Sequence, residues 1–578
     1  MKQLASTSVL ILGLGSSGLA MARWCARAGA RIAVWDSRLA SGEALPNAQL
    51  LAQELPQARM LDGALDAAAL DGMNLVLKSP GLSPLDDRLA ALLGAARAAG
   101  VPVQGELDLF IAALADLRAD TAYAPKLIAI TGTNGKTTTT AMTQLLVAST
   151  GRRVAVAGNI GPTMLQTLAE ALAAAEVAVD EVTEADAEQS AETTPADSHA
   201  GSDADAETGA DAGIDPAADR AARLAAALPE VWILELSSFQ LDGVEGFAPD
   251  AATVLNITED HLDWHGEMDS YVAAKAGVYG PADGATVMIV NRDDPRVEAM
   301  VPAPVAGKGR FAKPVQRQVI RFGLQAPRRP GDFGLLTDNG MVWLARAQDA
   351  DPTLQRGGKR GAAADDEELF FQRMMPADAL RVRGRHNAAN ALAALALAQA
   401  IGCPLAPMLH ALRDYSGEPH RLQFVASIRG VDAFDDSKGT NVGATVAAID
   451  GLGSDRSPAR LVLILGGDGK GQDFTPLLPP LQRFARAIAT LGRDAERVEQ
   501  ALRPLTEGAD GAAALPLQRH PTLQAATRWC FEQAQPGDAV LLSPACASLD
   551  MFRNYGERGE VFVRAVHDLA ADLGEVTT

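Results

Sequence analysis

Thr131-Gly132-Thr133-Asn134-Gly135-Lys136-Thr137 is the segment whose residue types and spacing point most directly to chemistry. It follows the apolar run Leu127–Ile130 and opens a helical stretch. Glycines there let backbone N–H groups approach a phosphate, and a helix N-terminus adds a favourable dipole. Lys136 would reach the terminal phosphates and Thr137 would hold Mg²⁺. Ile130 stands where a full G-x4-G-K-[ST] loop has its first glycine, so an ordinary glycine turn before a helix is the alternative. A second glycine motif, Gly13-Leu-Gly15-Ser-Ser-Gly18, follows Val9–Leu12, and Asp36 closes the next apolar run. This is the G-x-G-x-x-G spacing of dinucleotide sites. It would equally serve another diphosphate, such as that of a UDP-sugar, or be a structural tight turn.

Further candidates sit at the ends of apolar runs. Glu235 ends Val231–Leu234, where a carboxylate beside a phosphate loop can bind Mg²⁺ directly or through water. Asn256–Asp263 concentrates acids around His261, a metal ligand or a structural histidine. Lys275 reads from spacing alone as a plain helix lysine. Towards the C-terminus, Asp435–Asn441 follows Val431–Phe434, Gly466–Lys470 follows Leu461–Leu465, and Ser543–Ser548 follows Ala539–Leu542. Three polar clusters at three strand ends would converge at the carboxyl edge of one parallel sheet. Cys546 has no neighbouring histidine and is not expected to be a nucleophile.

The elements that must position these groups are strands alternating with helices, which predicts α/β architecture with parallel sheets. The 578 residues divide into three modules in series. Residues 1–124 are expected as a Rossmann-like domain, residues 125–382 as a central P-loop ATPase-like parallel sheet, and residues 383–578 as a second Rossmann-like domain. Residues 176–219 contain 14 acidic side chains and no Lys or Arg, two thirds of the net charge of −21. Low in aromatics and without apolar period, this stretch is expected to be a disordered insertion. Residues 348–378 are expected to be a loop expansion.

The acidic surface argues against a nucleic-acid partner. Four dispersed cysteines without a CxxC pair argue against a disulfide scaffold or cysteine-type zinc site. No signal peptide and no membrane span are expected, and the cytoplasm is the expected location.

Taken together, the motifs resemble those of the Mur ligase family, the ATP-dependent amide ligases of peptidoglycan precursor synthesis. The carriers are Thr131–Thr137, Gly158-Asn159-Ile160-Gly161, Glu235–Gln240, Asn256–Asp263, Tyr271–Lys275, His386-Asn387 with Asn390, Pro419–Arg421, Asp436–Lys438, Gly466–Lys470 and Leu541–Phe552. The resemblance covers nearly the whole chain outside the two insertions. It implies a UDP-binding N-terminal domain, a central ATPase domain, and a C-terminal domain that closes on ATP and brings the amino acid.

Roles follow from the resemblance position by position. Ser17, Ser37 and Arg38 would hold the uridine diphosphate, and Asn159 would lie near the phosphates or the substrate carboxylate. Gly132, Thr133, Asn134, Gly135, Lys136, Thr137, Thr138, Asn387, Asn390, Arg421 and Asp436 would engage ATP. Thr137 and Glu235 would ligate one Mg²⁺ and His261 a second. Lys275 matches the lysine that the family carbamylates, giving an anionic ligand near Mg²⁺. Lys438, Thr440, Lys470, Ser548 and Tyr555 would surround D-glutamate. Tyr555 stands in place of phenylalanine, and Ser17 in place of threonine. The implied reaction adds D-glutamate to UDP-N-acetylmuramoyl-L-alanine through an acyl phosphate, with Lys136, Glu235, His261 and Lys275 at the chemistry and the chain acting as a monomer. The alternative is a family member that adds a different amino acid.

Overall fold

The computed structural model describes residues 4–39, 45–63, 65–159, 161–192, 215–304, 317–349, 369–382, 384–456, 458–507 and 514–575. Two compact units emerge, Met1–Ala129 with Gly151–Asp250, and Ile130–Thr150 with Ala251–Thr578.

In the first unit, β1 (Ser8–Leu12), β2 (Arg31–Trp35), β3 (Arg59–Leu61), β4 (Leu75–Lys78) and β5 (Val103–Gln104) form a parallel sheet in the order β3-β2-β1-β4-β5. This is the Rossmann-like order, and its crevice opens beyond the carboxyl ends of β1 and β4, where the chain reverses direction across the sheet. β1 is buried at every position, as an apolar run covered on both faces must be. Leu10, Leu12, Trp35, Val76, Leu89 and Leu92 form the core on one face. β6 (Lys126–Thr131) runs across the boundary between the units. β7 (Val154–Gly158) and β8 (Val231–Glu235) pair in parallel, with Gly158 opposite Glu235.

The acidic stretch 176–219 departs from its expected disorder at both ends. A helix over Met164–Glu192 runs into it, and another over Pro216–Ala227 begins inside it. The Ala/Glu-rich sequence has high helix propensity. The two helices pack together, with Arg220 and Asp180 paired at 3.0 Å. Residues 193–214, the middle of the stretch, lie outside the described residues.

In the second unit, β9 (Ala251–Val254), β10 (Val287–Asn291) and β11 (Val319–Phe322) are parallel neighbours. An antiparallel sheet follows, β12 (Phe333–Asp338), β13 (Met341–Asp349) and β14 (Leu369–Pro376). The polar expansion at 348–378 is therefore the far end of the β13–β14 pair; residues 350–368 lie outside the described residues. The helix Arg385–Ala400 is buried almost all round. It packs on the helix Lys136–Ala148 and on β9 to β11, rather than heading the last sheet as the expected boundary at 383 implies.

That last sheet has the order β15 (Gln423–Ile428), β16 (Val431–Asp435), β20 (Ala539–Leu542), β17 (Leu461–Gly466), β18 (Ala485–Leu491), β19 (Leu517–Arg519). Only β15 is antiparallel, at one edge. A hydrophobic cluster covers each face. No helix among the described residues is long and apolar enough to cross a membrane.

Candidate active site

The phosphate-type loop lies between β6 and the helix Lys136–Ala148. Two glycines shape it. Gly132 has φ +147°, and a Cβ there would meet Leu255 at 3.0 Å. Gly135 has φ +83°, and a Cβ there would come within 2.6 Å of Asn390 Oδ1. Gly135 is also the helix N-cap and supplies no capping side chain, so the first-turn N–H groups keep their capacity for an anion. Asn256 holds the loop from the end of β9. Its Oδ1 accepts from Asn134 N at 2.8 Å, its Nδ2 donates to Asn134 O at 3.0 Å, and its carbonyl accepts from Thr133 N at 2.9 Å.

Two lysines meet at one carbonyl. Lys136 Nζ donates to Gly132 O and Thr133 O, each at 2.8 Å. Lys275 Nζ, on a side chain only 2 % exposed, donates to the same Gly132 O at 2.8 Å. Lys275 also lies 4.7 Å over the ring of Tyr271, whose hydroxyl meets Thr133 Oγ1 at 2.9 Å. A helix lysine by spacing is thus part of the phosphate loop's wall. His261 lies in the left-handed region at φ +56°, an unusual conformation for a non-glycine residue. Burial pushes its pKa down to about 4, with Lys470, Lys136 and Lys275 adding to the shift and Asp260 opposing it. At neutral pH the imidazole is uncharged, the form that ligates a metal. Among the described residues no three His, Cys, Asp or Glu side chains are grouped as a ready-made metal cage. The donor types present here are instead the Thr137 hydroxyl and the neutral His261 ring, which suit an ion that also takes phosphate oxygens.

The three polar clusters of the C-terminal sheet follow the adjacent strands β16, β20 and β17, as their spacing predicts. Asp468 and Ala547 bridge two of the clusters directly. Asp436 is buried; its Oδ2 accepts from Ser543 Oγ at 2.7 Å, and burial raises its pKa to about 7. Arg421 Nη2 donates to Thr137 Oγ1 at 2.5 Å, and Asn441 Nδ2 donates to Asn134 Oδ1 at 3.0 Å. Both residues thus reach the phosphate loop. Lys438 Nζ lies 3.8 Å over the ring of Tyr555, a cation–π contact that its aromatic ring keeps despite the phenolic hydroxyl. Lys470 has φ +48° in an exposed turn, and Ser548 is buried. Five of the nine non-glycine residues with positive φ among those described (His261, His420, Leu422, Lys470 and Ala545) fall in these loops. Strained backbone concentrates where function does. Cys546 is buried, and burial pushes its thiol up to about 12, against a nucleophilic role.

A cavity of about 330 Å³ joins these parts, lined by Asn134, Thr138, Asn256, Asn387, Asn390, Arg421, Asp436 and Lys438 among others. A larger cavity of about 1310 Å³ shares Asn387, Glu418 and Arg421 with it. Asn390 Nδ2 donates to Asn387 Oδ1 at 3.2 Å, fixing both amides on one helix face.

In the first unit the glycine loop turns at the end of β1. Gly13 has φ +86°, and a Cβ on Gly18 would lie 1.9 Å from Gly13 O. Asp36 Oδ2 accepts from Leu14 N at 2.7 Å, and the Arg38 guanidinium grips both carboxylate oxygens at 2.8–2.9 Å. That grip lowers the Asp36 pKa to about 2. Ser37 lies in the same turn. Ser17 is buried beside the carboxyl of Glu106, whose Oε1 accepts from Leu165 N at 3.0 Å. Asn159 and Glu235 are bound to each other: Asn159 Nδ2 donates to Glu235 Oε1 at 3.1 Å, and Asn159 N to Glu235 O at 2.7 Å.

Spacing gives no role to Asn256, Tyr271 or Asn441, nor to Arg558. Arg558 is 2 % exposed, with its guanidinium donating to Ser437 O at 2.7 Å and Cys546 O at 3.1 Å. It ties the β16 and β20 loops together. The local signal for it is an arginine on the buried face of an amphipathic helix, Tyr555–Asp572.

Comparison with known families matches three successive segments. Residues 7–105 match the "Mur ligase MurD-like, N-terminal domain", residues 130–201 and 217–326 the "Mur ligase middle domain", and residues 420–546 the "Mur ligase, glutamate ligase domain". The UDP-N-acetylmuramoylalanine--D-glutamate ligase of Albidiferax ferrireducens is 52 % identical over 99 % of this chain and 98 % of its own length. The enzymes of the same name from Burkholderia mallei and Burkholderia pseudomallei are each 50 % identical, over 98 % of both chains.

Proposed function

The chain belongs to the Mur ligase family, and from that premise we propose the reaction and the part each residue takes in it. The protein is an ATP-dependent ligase that joins D-glutamate to UDP-N-acetylmuramoyl-L-alanine in peptidoglycan precursor synthesis. The observation that carries this reading is full-length similarity to D-glutamate ligases at 52 % identity, with a lysine-bearing phosphate loop intact within it.

The terminal alanine carboxylate attacks the γ-phosphoryl group of ATP, and the amine of D-glutamate then displaces phosphate from the acyl phosphate. Lys136 rests on its own loop carbonyls, so a terminal phosphate takes over donors already pointed into the loop. Charge spreads over the phosphoryl oxygens during transfer, and fixed cations there lower the barrier more than they help binding. Arg421, on Thr137, adds a second cation at the same place. Asn387 and Asn390 line the nucleotide cavity, and Asp436, buried beside Arg421, accepts hydrogen bonds from nucleotide hydroxyls. Lys438 and Lys470 pair with the two carboxylates of D-glutamate, with Thr440, Ser548 and Tyr555 around them.

Thr137 and Glu235 are assigned to one Mg²⁺ and His261 with Lys275 to a second; bound there, the ions would neutralise phosphate charge and orient the oxygens for transfer. Two ammonium groups on Gly132 O favour conversion of Lys275 to a carbamate, which replaces one of two adjacent positive charges by a negative one. The first domain, residues 1–124, holds the uridine diphosphate through Ser37, Arg38 and the glycine loop. Asn159 aligns the acyl substrate. Residues 125–382, joined by Asn387 and Asn390 of the helix Arg385–Ala400 and by Arg421 and Asp436, bind ATP, and the sheet β15 to β20 brings the amino acid. The enzyme works as a cytoplasmic monomer.

Phosphate release with ATP, Mg²⁺ and UDP-N-acetylmuramoyl-L-alanine tests the reading, with D-glutamate compared against L-glutamate, L-alanine and a diamino acid. Release with D-glutamate alone is expected. Release with a different amino acid would reassign the substrate and keep the fold and phosphoryl chemistry.

A further inference from the structure

Beside the nucleotide cavity, a cluster of guanidinium groups takes no part in the ligation. Arg292, Arg328 and Arg385 line a concavity of about 510 Å³ together with Asp293, Leu324 and Gln325. Arg292 follows β10 directly, and Arg385 opens the helix that carries Asn387 and Asn390.

Arg292 is the built part of this site. Its side chain is 7 % exposed. Nη2 donates to Gln325 O, whereas Nε and Nη1 are buried without a hydrogen-bond partner. Buried donors left unmatched are costly and rare, so their presence marks a place for an acceptor. None of the acids nearby supplies a hydrogen bond to these two donors, although Asp332 keeps its buried Oδ2 without a partner. Asp293 Oδ2 accepts from Leu324 N at 2.6 Å, and its Oδ1 stays 3.9 Å from Arg292 Nε. Glu298 is held by Arg321 at 2.7 Å, and Asp332 Oδ1 accepts from Arg321 N at 2.9 Å. Arg328 Nη2 donates to Gln325 Oε1 at 3.1 Å and Arg385 Nη2 to Leu324 O at 3.3 Å. Three guanidinium groups thus face one carboxylate in a chain whose net charge is −21.

We propose that Arg292, Arg328 and Arg385 form an accessory site for a phosphate group, separate from the Lys136 loop. Guanidinium forks match phosphate oxygens two at a time, and a surplus of cations favours a dianion over a single carboxylate. The concavity is roomier than a bare phosphate requires. Its ligand is therefore free phosphate or the phosphate of a small ester whose body lies over Leu324. Leu324 also lines the nucleotide cavity, so the two sites share a wall. An anion that binds only the folded chain also raises its melting temperature by mass action.

The test uses the full-length protein saturated with a non-hydrolysable ATP analogue and Mg²⁺, so that the phosphate positions of the Lys136 loop are filled. Inorganic phosphate and ribose 5-phosphate are then titrated separately by calorimetry, with melting temperature as a second readout. One equivalent of either is expected to bind, the tighter ligand identifying the source. Arg292→Gln and Arg328→Ala should each weaken that binding at least tenfold and abolish the melting shift. Should Arg292→Gln fail to fold, the exposed Arg328→Ala decides alone. No binding with the analogue in place, or binding undiminished in a folded variant, overturns the proposal. The titration needs no turnover, so its failure leaves D-glutamate ligation untouched.

Discussion

The loop Gly13–Gly18 and the loop Thr131–Thr137 are built alike. Each follows a parallel strand, turns on a glycine at φ +86° or +83°, and opens a helix whose glycine N-cap supplies no capping side chain. Their surroundings differ in charge. Asp36 Oδ2 accepts the Leu14 N–H of the first loop, and Arg38 neutralises it. The second draws Lys136, Lys275 and Arg421 onto its own atoms. A site that only holds a diphosphate needs shape and donors, with a carboxylate to take a hydroxyl. A site that transfers a phosphoryl group needs cations placed where charge grows in the transition state. Similar backbone therefore serves recognition in one place and chemistry in the other.

The largest effect should come from Lys136→Ala, which removes a cation from the second loop only. A fall of about 10²–10³-fold in kcat is expected, with the fold intact by circular dichroism. A fall of less than tenfold would mean that Arg421 and bound Mg²⁺ suffice and would blur the contrast. Gly135→Ala comes next. It forces φ +83° on an L-residue and pushes against Asn390, at a cost of about 1–3 kcal/mol in the loop's geometry. The KM for ATP should rise about tenfold or more while binding of the UDP substrate stays unchanged.

Asn256→Ala sharpens the comparison differently. It strips the loop of a two-way amide staple and leaves Asn134 N without its acceptor, worth about 1–3 kcal/mol. Steady-state kinetics should show a higher KM for ATP with little change for D-glutamate. The smallest effect on stability belongs to Asp36→Asn. The Asp36 carboxyl titrates lower in the folded protein than in the unfolded chain. Its contribution to stability is therefore present above about pH 4 and lost as pH falls towards about 2. With Arg38 half exposed the pair contributes about 1 kcal/mol, so chemical denaturation at pH 7 should show a loss of that size, and the variant should lose less than the parent between pH 4 and pH 2.

Both glycine loops are legible from sequence because their signals are local: an apolar strand, glycines at fixed spacing and a helix. The clusters after β16, β17 and β20 are legible for the same reason, and adjacency of those strands brings them to one edge. Lys275 is invisible to spacing, since only the fold sets it against Gly132 and Tyr271; resemblance to a family is what singles it out. Asn256 and Asn441 read as loop residues because amide staples depend on partners far along the chain. The antiparallel β12–β14 sheet was hidden by the polar character of its far end. The acidic stretch misleads in the other direction, because a low-aromatic Ala/Glu composition fits both disorder and a packed helix such as Met164–Glu192.

The most direct test of the division between the loops is equilibrium binding of UDP-N-acetylmuramoyl-L-alanine to Lys136→Ala and Asp36→Asn, measured side by side in the absence of ATP. The account predicts at least tenfold weaker binding to Asp36→Asn and binding within twofold of the parent to Lys136→Ala. Equal losses in the two variants, or a loss confined to Lys136→Ala, would contradict it.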